Sequence, residues 1–149
     1  MKLILQRFPQ LTLNQLYQIL ALRNQVFVVE QNCPYQDIDH RDESAFHLFL
    51  EEEGKIIGYL RIIPHKADFS AVSIGRFCIA SGYRDRKLGR DIFYYILDYI
   101  DKRWKSEEIF ISAQKYLKTF YLSFGFLPVS EVYEEDGIPH LDMKRIIKN

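Results

Sequence analysis

Hydrophobic residues recur at helical spacing in two parts of the chain, which predicts two amphipathic helices. In the first, residues 10–31, we expect a broken helix with its apolar positions at Leu13, Leu16, Leu20 and Phe27. In the second, apolar positions repeat every four residues at Leu88, Ile92, Ile96 and Ile100, and Phe93 and Leu97 widen the stripe. A third, shorter helix is predicted over residues 114–123.

Short apolar runs between these helices predict β-strands. They are residues 45–50, 56–63, 73–79, 108–112, 126–133 and 138–146. Glu53-Gly54 separates the first two runs and Glu135-Asp136-Gly137 separates the last two, so each pair is predicted to form a hairpin. The polar segment 32–44 is predicted to be a loop. This order of elements predicts an α/β (α+β) fold with a mixed, mostly antiparallel sheet flanked by helices.

The composition fits a single domain over residues 1–149, in which 48% hydrophobic residues provide a core. Twenty basic and 20 acidic residues cancel, so nothing favours nucleic acid or a membrane surface, which would attract a surface of one sign. The N-terminal run Met1–Arg7 is too short for a signal peptide, and no run approaches the ~20 apolar residues of a membrane span. A cytoplasmic protein is therefore expected.

The residues that bind metals or form disulfides are scattered. Cys33 and Cys78 lie in different contexts without a metal or redox spacing, so free thiols are expected. The four histidines lack the paired spacing of metal ligands, and no metal site is predicted. Nucleotide-binding glycine patterns are also absent from the sequence.

Residues 74–92 combine a strand, a basic turn and a helix start. The first amides of a helix have no partner within it, and the helix dipole favours negative charge. Four basic side chains add positive charge to the same turn: Arg84, Arg86, Lys87 and Arg90. The segment therefore suits a pyrophosphate, although an ordinary solvated helix start is the alternative reading.

This turn resembles the acyl-CoA-binding motif of the GNAT N-acetyltransferases, (Gln/Arg)-x-x-Gly-x-(Gly/Ala). Arg84 takes the first place and Gly89 the last, while Lys87 stands where the family usually has its first glycine. A second segment, Ala113–Phe126, resembles the family's polar residue after strand five followed by Phe-Tyr and Gly-Phe. The matching residues are Gln114, Phe120-Tyr121 and Gly125-Phe126.

Residues 27–39 and 132–140 are similar to the ElaA-type branch of GNAT, so the resemblance spans nearly the whole chain. It implies the GNAT acyl-CoA N-acyltransferase fold, in which strands four and five splay apart and admit the cofactor arm. It also implies acetyl-CoA as the cofactor. The residues expected to bind it are Phe77, Cys78, Ile79, Arg84, Asp85, Arg86, Lys87, Leu88, Gly89, Arg90, Gln114, Phe120 and Tyr121.

The resemblance gives Tyr121 the role of donating a proton to the departing thiolate. A thiol titrates near ~8.5 and a tyrosine near ~10, so this transfer involves no large mismatch. The oxyanion donor is expected to be a backbone amide near Cys78. The Cys78 sulfur itself is expected to be buried and inert, because Phe77 and Ile79 flank it.

The general base is the least determined group. His140 is the preferred residue, because it follows Pro139 at a strand start and histidine titrates near neutral pH. His47 lies within an apolar strand, which is typical of a hydrogen-bonded core histidine. Glu134, Glu135, Asp37, a water chain to a carboxylate and an acceptor that arrives neutral all stay open.

Acidic residues cluster in two loops, at Asp37, Asp39, Asp42 and Glu43 and at Glu134, Glu135 and Asp136. In the GNAT arrangement both regions border the acceptor cleft, so a cationic small-molecule or peptide amine is expected as the acceptor. The alternative is that both clusters are ordinary solvated loops. The residues expected to bind this substrate are Tyr35, Asp37, Glu134 and His140. Assembly as a homodimer stays open.

These features predict an acetyl-CoA-dependent N-acetyltransferase that acts by direct transfer in a ternary complex. The main alternative is a non-catalytic acyl-CoA-binding or regulatory module on the same fold, which Lys87 favours and Tyr121 disfavours. Two further alternatives are a cysteine-dependent acyltransferase or hydrolase that uses Cys78, and an interaction protein that uses its tyrosines and binds no ligand.

Overall fold

The computed structural model describes residues 1–146 and contains an eight-stranded sheet. Its strands are β1 (Lys2–Arg7), β2 (Phe46–Glu52), β3 (Lys55–Pro64), β4 (Ala71–Ile79), β5 (Glu108–Gln114), β6 (Leu127–Pro128), β7 (Tyr133–Glu135) and β8 (Ile138–Ile146). Its α-helices are α1 (Leu13–Asn24), α2 (Leu88–Tyr99) and α3 (Lys118–Leu122). Short 3-10 helices span Phe8–Gln10, Ser81–Arg86 and Lys115–Leu117, and π-helical turns span Gln25–Glu30 and Ile100–Trp104.

The strands lie in the order β1-β2-β3-β4-β5-β8-β6, and β7 also pairs with β8. Every pair is antiparallel except β4 and β5, so the predicted mixed, mostly antiparallel sheet is confirmed. Both predicted hairpins form, at Glu53-Gly54 and at Asp136-Gly137. The four φ angles are 51° and 80° in the first turn and 52° and 77° in the second, which two-residue hairpin turns require.

Three sequence predictions differ from the structure. Strand β1 was not predicted, because its residues do not alternate; it is an edge strand that pairs with β2. The predicted helix 114–123 is shorter, because Gln114 still belongs to β5 and pairs with His140 on β8. The predicted strand 126–133 is wrong as a continuous strand: β6 ends at Pro128, one further backbone hydrogen bond joins Val129 to Asp142 on β8, and β7 begins only at Tyr133.

The predicted broken helix over residues 10–31 is confirmed. Thr12 caps α1 by accepting a hydrogen bond from the Gln15 amide, and the side chain of Gln15 accepts one from the Thr12 amide. After Asn24 the chain continues as the π-helical turn Gln25–Glu30 and then as the predicted loop. One core cluster forms around α1 and another around α2. No helix within residues 1–146 is long and apolar enough to cross a membrane.

Strands β4 and β5 pair only over their first residues and then diverge. Ala71, Val72 and Ser73 lie opposite Glu108, Ile109 and Phe110, and no later residue of either strand pairs with the other strand. On its far side β5 stays paired with β8 along its whole length. In β4 the register with β3 shifts near Arg76, whose φ of 53° marks a bulge. The predicted splay of strands four and five is therefore confirmed, and it opens a cleft in the sheet.

Candidate active site

The cleft between the splayed strands has a volume of about 980 Å³. Its walls also include the π-helical turn Gln25–Glu30, the loop after it and the β7–β8 hairpin. Nine of the predicted site residues line it: Tyr35, Phe77, Cys78, Ile79, Arg84, Gly89, Gln114, Tyr121 and His140. The described lining does not include Asp37, Asp85, Arg86, Lys87, Leu88, Arg90, Phe120 or Glu134. The structure thus brings half of the predicted set together, and the roles of all these residues stay predictions.

The start of α2 reaches the cleft at Gly89. Lys87 precedes the helix in the left-handed conformation, with φ 58° and ψ 25°, and no side chain caps the helix. No side chain therefore accepts a hydrogen bond from the amides of Leu88 and Gly89 as a helix cap. An anion site at a helix N-terminus requires such uncapped amides. The left-handed conformation also explains the family's glycine at this place, because glycine adopts it without strain.

Gly89 is required by packing. A Cβ atom placed on Gly89 would lie 2.9 Å from Cζ of Phe77 and 3.7 Å from Cζ of Phe120. These two rings stack on each other with a centroid distance of 5.7 Å and an interplanar angle of 9°. Gly89 therefore lets α2 approach this aromatic pair, of which Phe77 lines the cleft. Phe120 packs behind Phe77, and its contact with the cofactor stays a prediction.

Two of the four cations of the basic turn, Arg84 and Arg86, are paired with acidic side chains. Arg84 donates to the Ile79 carbonyl oxygen at 2.9 Å and contacts the Glu30 carboxylate at 2.6 Å. Arg86 contacts the Glu52 carboxylate at 3.2 Å. The turn therefore offers an anion less free positive charge than the sequence suggested. Arg84 instead ties the turn to the end of β4, where the strands diverge.

Arg90 packs against the segment after α3, and its contact with the cofactor stays a prediction. Its guanidinium donates to the Ser123 hydroxyl at 3.3 Å and lies 4.9 Å from the centre of the Phe124 ring. This cation–π contact joins α2 to the segment after α3. Asp85 and Lys87 are exposed on the turn.

Tyr121 lies in the wall of the cleft and is only 4% exposed. Burial raises the pKa of its hydroxyl above the ordinary value, so the group stays protonated at neutral pH. The position is fixed by the end of α3, where Gly125 has a φ of 90° and its amide donates to the Leu122 carbonyl. The Phe126 amide donates to the Tyr121 carbonyl, which completes a Schellman cap and confirms the predicted glycine cap.

Cys78 lines the same cleft, and its side chain is buried in the core around α1. Burial raises the pKa of its thiol well above the ordinary value, so little reactive thiolate forms near neutral pH. The other cysteine, Cys33, is also buried and free. This environment agrees with the expectation of an inert thiol and argues against a nucleophilic cysteine.

His140 faces the cleft from β8. Its Nδ1 lies 2.7 Å from the Ile138 carbonyl oxygen, which only accepts, so Nδ1 carries a hydrogen. Its Nε2 lies 3.4 Å from a carboxylate oxygen of Glu135. In the neutral ring Nε2 is therefore the atom that can take a proton, and Glu135 can stabilise the resulting imidazolium. Opposite His140, the side-chain amides of Gln114 and Gln31 bond to each other at 3.3 Å.

Three of the four carboxylates in the first acidic loop, those of Asp37, Asp39 and Asp42, are paired with arginines, so this loop supplies little free negative charge. Glu43 is exposed. Asp37 contacts Arg23 and Arg76, each at 2.8 Å. Asp42 contacts Arg23 at 2.7 Å and Arg61 at 3.0 Å. Each carboxylate is neutralised by arginine, because an unpaired buried charge is strongly unfavourable. A direct contact of Asp37 with substrate stays a prediction.

Two other residues predicted to bind substrate, Tyr35 and Glu134, lie in different surroundings. Tyr35 donates to Asp37 at 2.9 Å and carries Arg76 over its ring at 5.6 Å. Glu134, in the second acidic cluster, is exposed on β7. Its neighbours Glu135 and Asp136 line the cleft, so this cluster supplies negative charge to the wall.

Other cleft residues were not predicted. Arg41, Arg61 and Arg76 also line the cleft, but Arg61 and Arg76 are paired with the carboxylates of the loop. Ser112 lies on β5 two residues before Gln114. The bulge that turns Arg76 toward the loop has no sequence signal, because arginine rarely adopts positive φ. The alternation of side chains along β5 could have indicated Ser112, since it shares a face with Gln114.

His47 is confirmed as a hydrogen-bonded core histidine. It is fully buried, with Nδ1 2.6 Å from the Tyr59 hydroxyl and Nε2 2.9 Å from the Asp42 carbonyl oxygen. Burial lowers the pKa of its ring, which disfavours a role as a cleft base. Among residues 1–146, no cluster of three or more His, Cys, Asp or Glu side chains is arranged to hold a metal ion.

Comparisons with known proteins agree with this architecture. A family model described as Acetyltransferase (GNAT) domain matches residues 12–147. Protein ElaA of Escherichia coli strain K12 is 43% identical over 138 residues, which cover 91% of this chain and 90% of ElaA. The crystal structure of Escherichia coli ElaA matches with a TM-score of 0.90 at 40% identity and covers 97% of this chain and 98% of that chain.

Two further solved structures extend the comparison. An acyl-CoA N-acyltransferase from Pseudomonas aeruginosa has a TM-score of 0.89 at 37% identity and covers 97% of this chain and 99% of that chain. An aminoglycoside 6'-N-acetyltransferase complexed with coenzyme A shares the fold alone, with a TM-score of 0.74 at 12% identity over 98% of each chain. The chain therefore belongs to the GNAT family of acyl-CoA-dependent acyltransferases, in its ElaA-type branch.

Proposed function

We propose that this protein transfers the acetyl group of acetyl-CoA to a primary amine, directly and within a ternary complex. Membership of the GNAT family already implies acyl-CoA-dependent acyltransfer, so the acetyl donor, the amine acceptor and the direct mechanism are the proposed part. The observation that carries the proposal is the buried hydroxyl of Tyr121 in the wall of the cleft.

The proposed cofactor pose follows from the free amides and the splay. The pyrophosphate binds at the start of α2, on the amides of Leu88 and Gly89. From there the pantetheine arm enters between β4 and β5 and runs along residues 77–79. Two arguments support this pose: the arm needs a gap in the sheet, and the strands pair only at their first residues.

The proposed reaction begins when the amine nitrogen attacks the thioester carbonyl carbon and forms a C–N bond. A backbone amide near Cys78 donates to the oxyanion, since preformed donors need no reorganisation during the reaction. The C–S bond then breaks, and the thiolate takes the proton of Tyr121. Burial raises the pKa of Tyr121, so its hydroxyl keeps its proton until the thiolate departs.

The proton of the amine goes to Nε2 of His140, which has the free lone pair. The Glu135 carboxylate, 3.4 Å away, stabilises the imidazolium that forms. Glu135 and Asp136 also favour a cationic acceptor at this wall of the cleft. The proposal of a cationic amine thus rests on the β7–β8 hairpin alone, since the other acidic loop is neutralised.

The test combines binding with product analysis. Calorimetry should give a dissociation constant for coenzyme A that weakens with salt, because the phosphate contacts are partly ionic. With acetyl-CoA present, spermidine, glucosamine and alanyl-alanine are screened by free-thiol release, and mass spectrometry identifies the acetylated amine. Release of thiol without an acetylated product would indicate hydrolysis. Tight coenzyme A binding without turnover of any amine would favour the non-catalytic module.

A further inference from the structure

A chain of three hydrogen-bonded side chains leads from the cleft to a second cavity. Ser112 lines both the cleft and the second cavity, which has a volume of about 520 Å³. Its Oγ lies 2.6 Å from the Tyr133 hydroxyl, and that hydroxyl lies 2.6 Å from Oδ1 of Asp142. Ser112 and Asp142 are register partners on β5 and β8, and Tyr133 lies on β7. The chain therefore joins three strands at the cleft wall.

The direction of these hydrogen bonds follows from the chemistry of the groups. An ionised carboxylate only accepts, so Tyr133 must donate its single hydroxyl hydrogen to Asp142. The bond between Tyr133 and Ser112 must then use the hydrogen of Ser112. With that hydrogen committed, Ser112 can offer only lone pairs to a ligand. The cleft wall at Ser112 is thus a hydrogen-bond acceptor.

The position of Ser112 suits the reacting nitrogen of the acceptor. The last paired residues of the splay are Ser73 and Phe110, so Ser112 lies just inside the gap between the strands. Gln114 pairs with His140, so Ser112 and His140 are diagonal neighbours on one face of the sheet. A group held by Ser112 would therefore lie beside the imidazole that is the proposed base.

We infer that Ser112 accepts a hydrogen bond from an N–H of the acceptor amine, and that Tyr133 and Asp142 are positioning residues that keep its oxygen available. The inference rests on the proposed N-acetyltransferase function and names the group that binds the amine. The chain ends on a carboxylate, so it favours binding of the charged ammonium form of the amine, which must lose a proton to solvent before its nitrogen can attack. Acceptors that lack an N–H at the reacting position should bind poorly.

The same hydrogen bonds also hold the β7–β8 hairpin against the sheet. A variant of Ser130 can distinguish this structural role from substrate binding. The Ser130 hydroxyl accepts from the Asp142 amide at 2.8 Å, so it fastens the segment between β6 and β7 to β8 at the same residue, Asp142. Ser130 lines neither of the two cavities. Ser130→Ala is therefore the matched control for the loss of a serine hydroxyl at this place.

The experiment measures kcat and KM for whichever of spermidine, glucosamine and alanyl-alanine is turned over fastest. Ser112→Ala should raise the KM of that amine about 10-fold or more, because a hydrogen bond to a charged group is lost. The dissociation constant of coenzyme A should stay unchanged. Ser112→Thr restores the hydroxyl and should restore KM. Asp142→Asn can donate to Tyr133 and so reverse the chain, and it should also raise the KM of the amine.

Calorimetric titration of the same amine into coenzyme A-saturated enzyme gives a readout that does not depend on turnover. It should weaken in Ser112→Ala and Asp142→Asn and stay constant in Ser130→Ala. An unchanged KM in Ser112→Ala, or an equal rise in Ser130→Ala, would overturn the inference and leave the N-acetyltransferase proposal intact. If no amine is turned over although coenzyme A binds, the proposed function itself fails.

Discussion

At the scale of single residues, Lys87 shows why a family motif can depart from its usual glycine. The left-handed conformation at this position costs an L-amino acid about 1–2 kcal/mol, yet the turn keeps its path. The lysine side chain is exposed and does not line the cleft, so it can supply charge without blocking the amides. The sequence revealed the departure from the motif, but the backbone angle that gives it meaning required the structure.

Lys87→Gly should therefore relieve strain and leave cofactor binding almost unchanged. The free energy of unfolding should change by less than about 1 kcal/mol, because glycine's greater freedom in the unfolded chain offsets the relief. Coenzyme A affinity, measured by calorimetry, should stay within a few-fold, since an exposed charge contributes little. A variant that binds coenzyme A where the parent does not would instead support a degenerate, regulatory site.

Gly89→Ala should be harmful for a reason that the motif alone did not provide. The new Cβ would lie 2.9 Å from the Phe77 ring, so the aromatic pair with Phe120 must shift. Overpacking of this kind destabilises by about 1–3 kcal/mol, and displacement of Phe77 should also raise the KM of acetyl-CoA. Urea denaturation and steady-state kinetics measure both effects.

Gly82→Ala is the control for this substitution, because a Cβ there meets no atom within 4 Å. It lies on the same basic turn and should be close to neutral. Equal effects of the two substitutions would show that close packing against Phe77 is not the reason for the glycine at position 89.

At the scale of elements, the strands and hairpins that define the site could be predicted, while the segments that cross the sheet ends could not. The Glu53-Gly54 and Asp136-Gly137 turns carry local signals, since glycine adopts positive φ without strain and the second turn is an Asp-Gly pair. Strand β1 and the bulge at Arg76 carry none, because edge pairing and register depend on distant residues. The inward turn of the acidic loop likewise depends on arginines 14 to 39 positions away.

The buried network beneath this loop predicts that acid destabilises the protein. Burial lowers the pKa of His47. Burial alone would raise the pKa of Asp42, but hydrogen bonds and positive charge from Arg23 and Arg61 lower it. In both groups the folded pKa lies below the unfolded one, so the unfolded state binds more protons as the pH falls. Stability is therefore present above the unfolded pKa and is lost as the pH falls toward the folded pKa.

The free energy of unfolding should thus be level near neutral pH and fall below about 6.5, where the unfolded His47 begins to titrate. The slope from one group is at most about 1.4 kcal/mol per pH unit, and the carboxylates add a further loss below about 4. Urea denaturation of the parent and of His47→Gln measures the difference. His47→Gln should flatten the slope between pH 6.5 and 5, and exposed His65→Gln should retain it. Parallel curves for the parent and His47→Gln would show that His47 is not the group responsible.

At the scale of the whole molecule, the fold was predictable because two motifs and both ends of the chain resemble one family in the correct order. The site was predictable only in part. The cleft does bring together the predicted Cys78, Tyr121 and His140. Tyr121 and His140 lie 43 and 62 positions after Cys78 in the sequence. The charge of the acceptor end was not predictable, because ion pairing between distant elements decides which charges face the cleft.

The central claim is that Tyr121 delivers the proton that releases coenzyme A, and Tyr121→Phe tests it most directly. The substitution keeps the ring and its packing, so the melting temperature and the coenzyme A dissociation constant should change little. Turnover of an amine that the parent acetylates should fall about 10²–10⁴-fold, and the loss should appear in kcat. The lower end of this range is expected because a thiolate is a fair leaving group. Tyr17→Phe, at an exposed tyrosine of α1, is the control and should keep full turnover. A Tyr121→Phe enzyme with full kcat across the pH range would contradict the account.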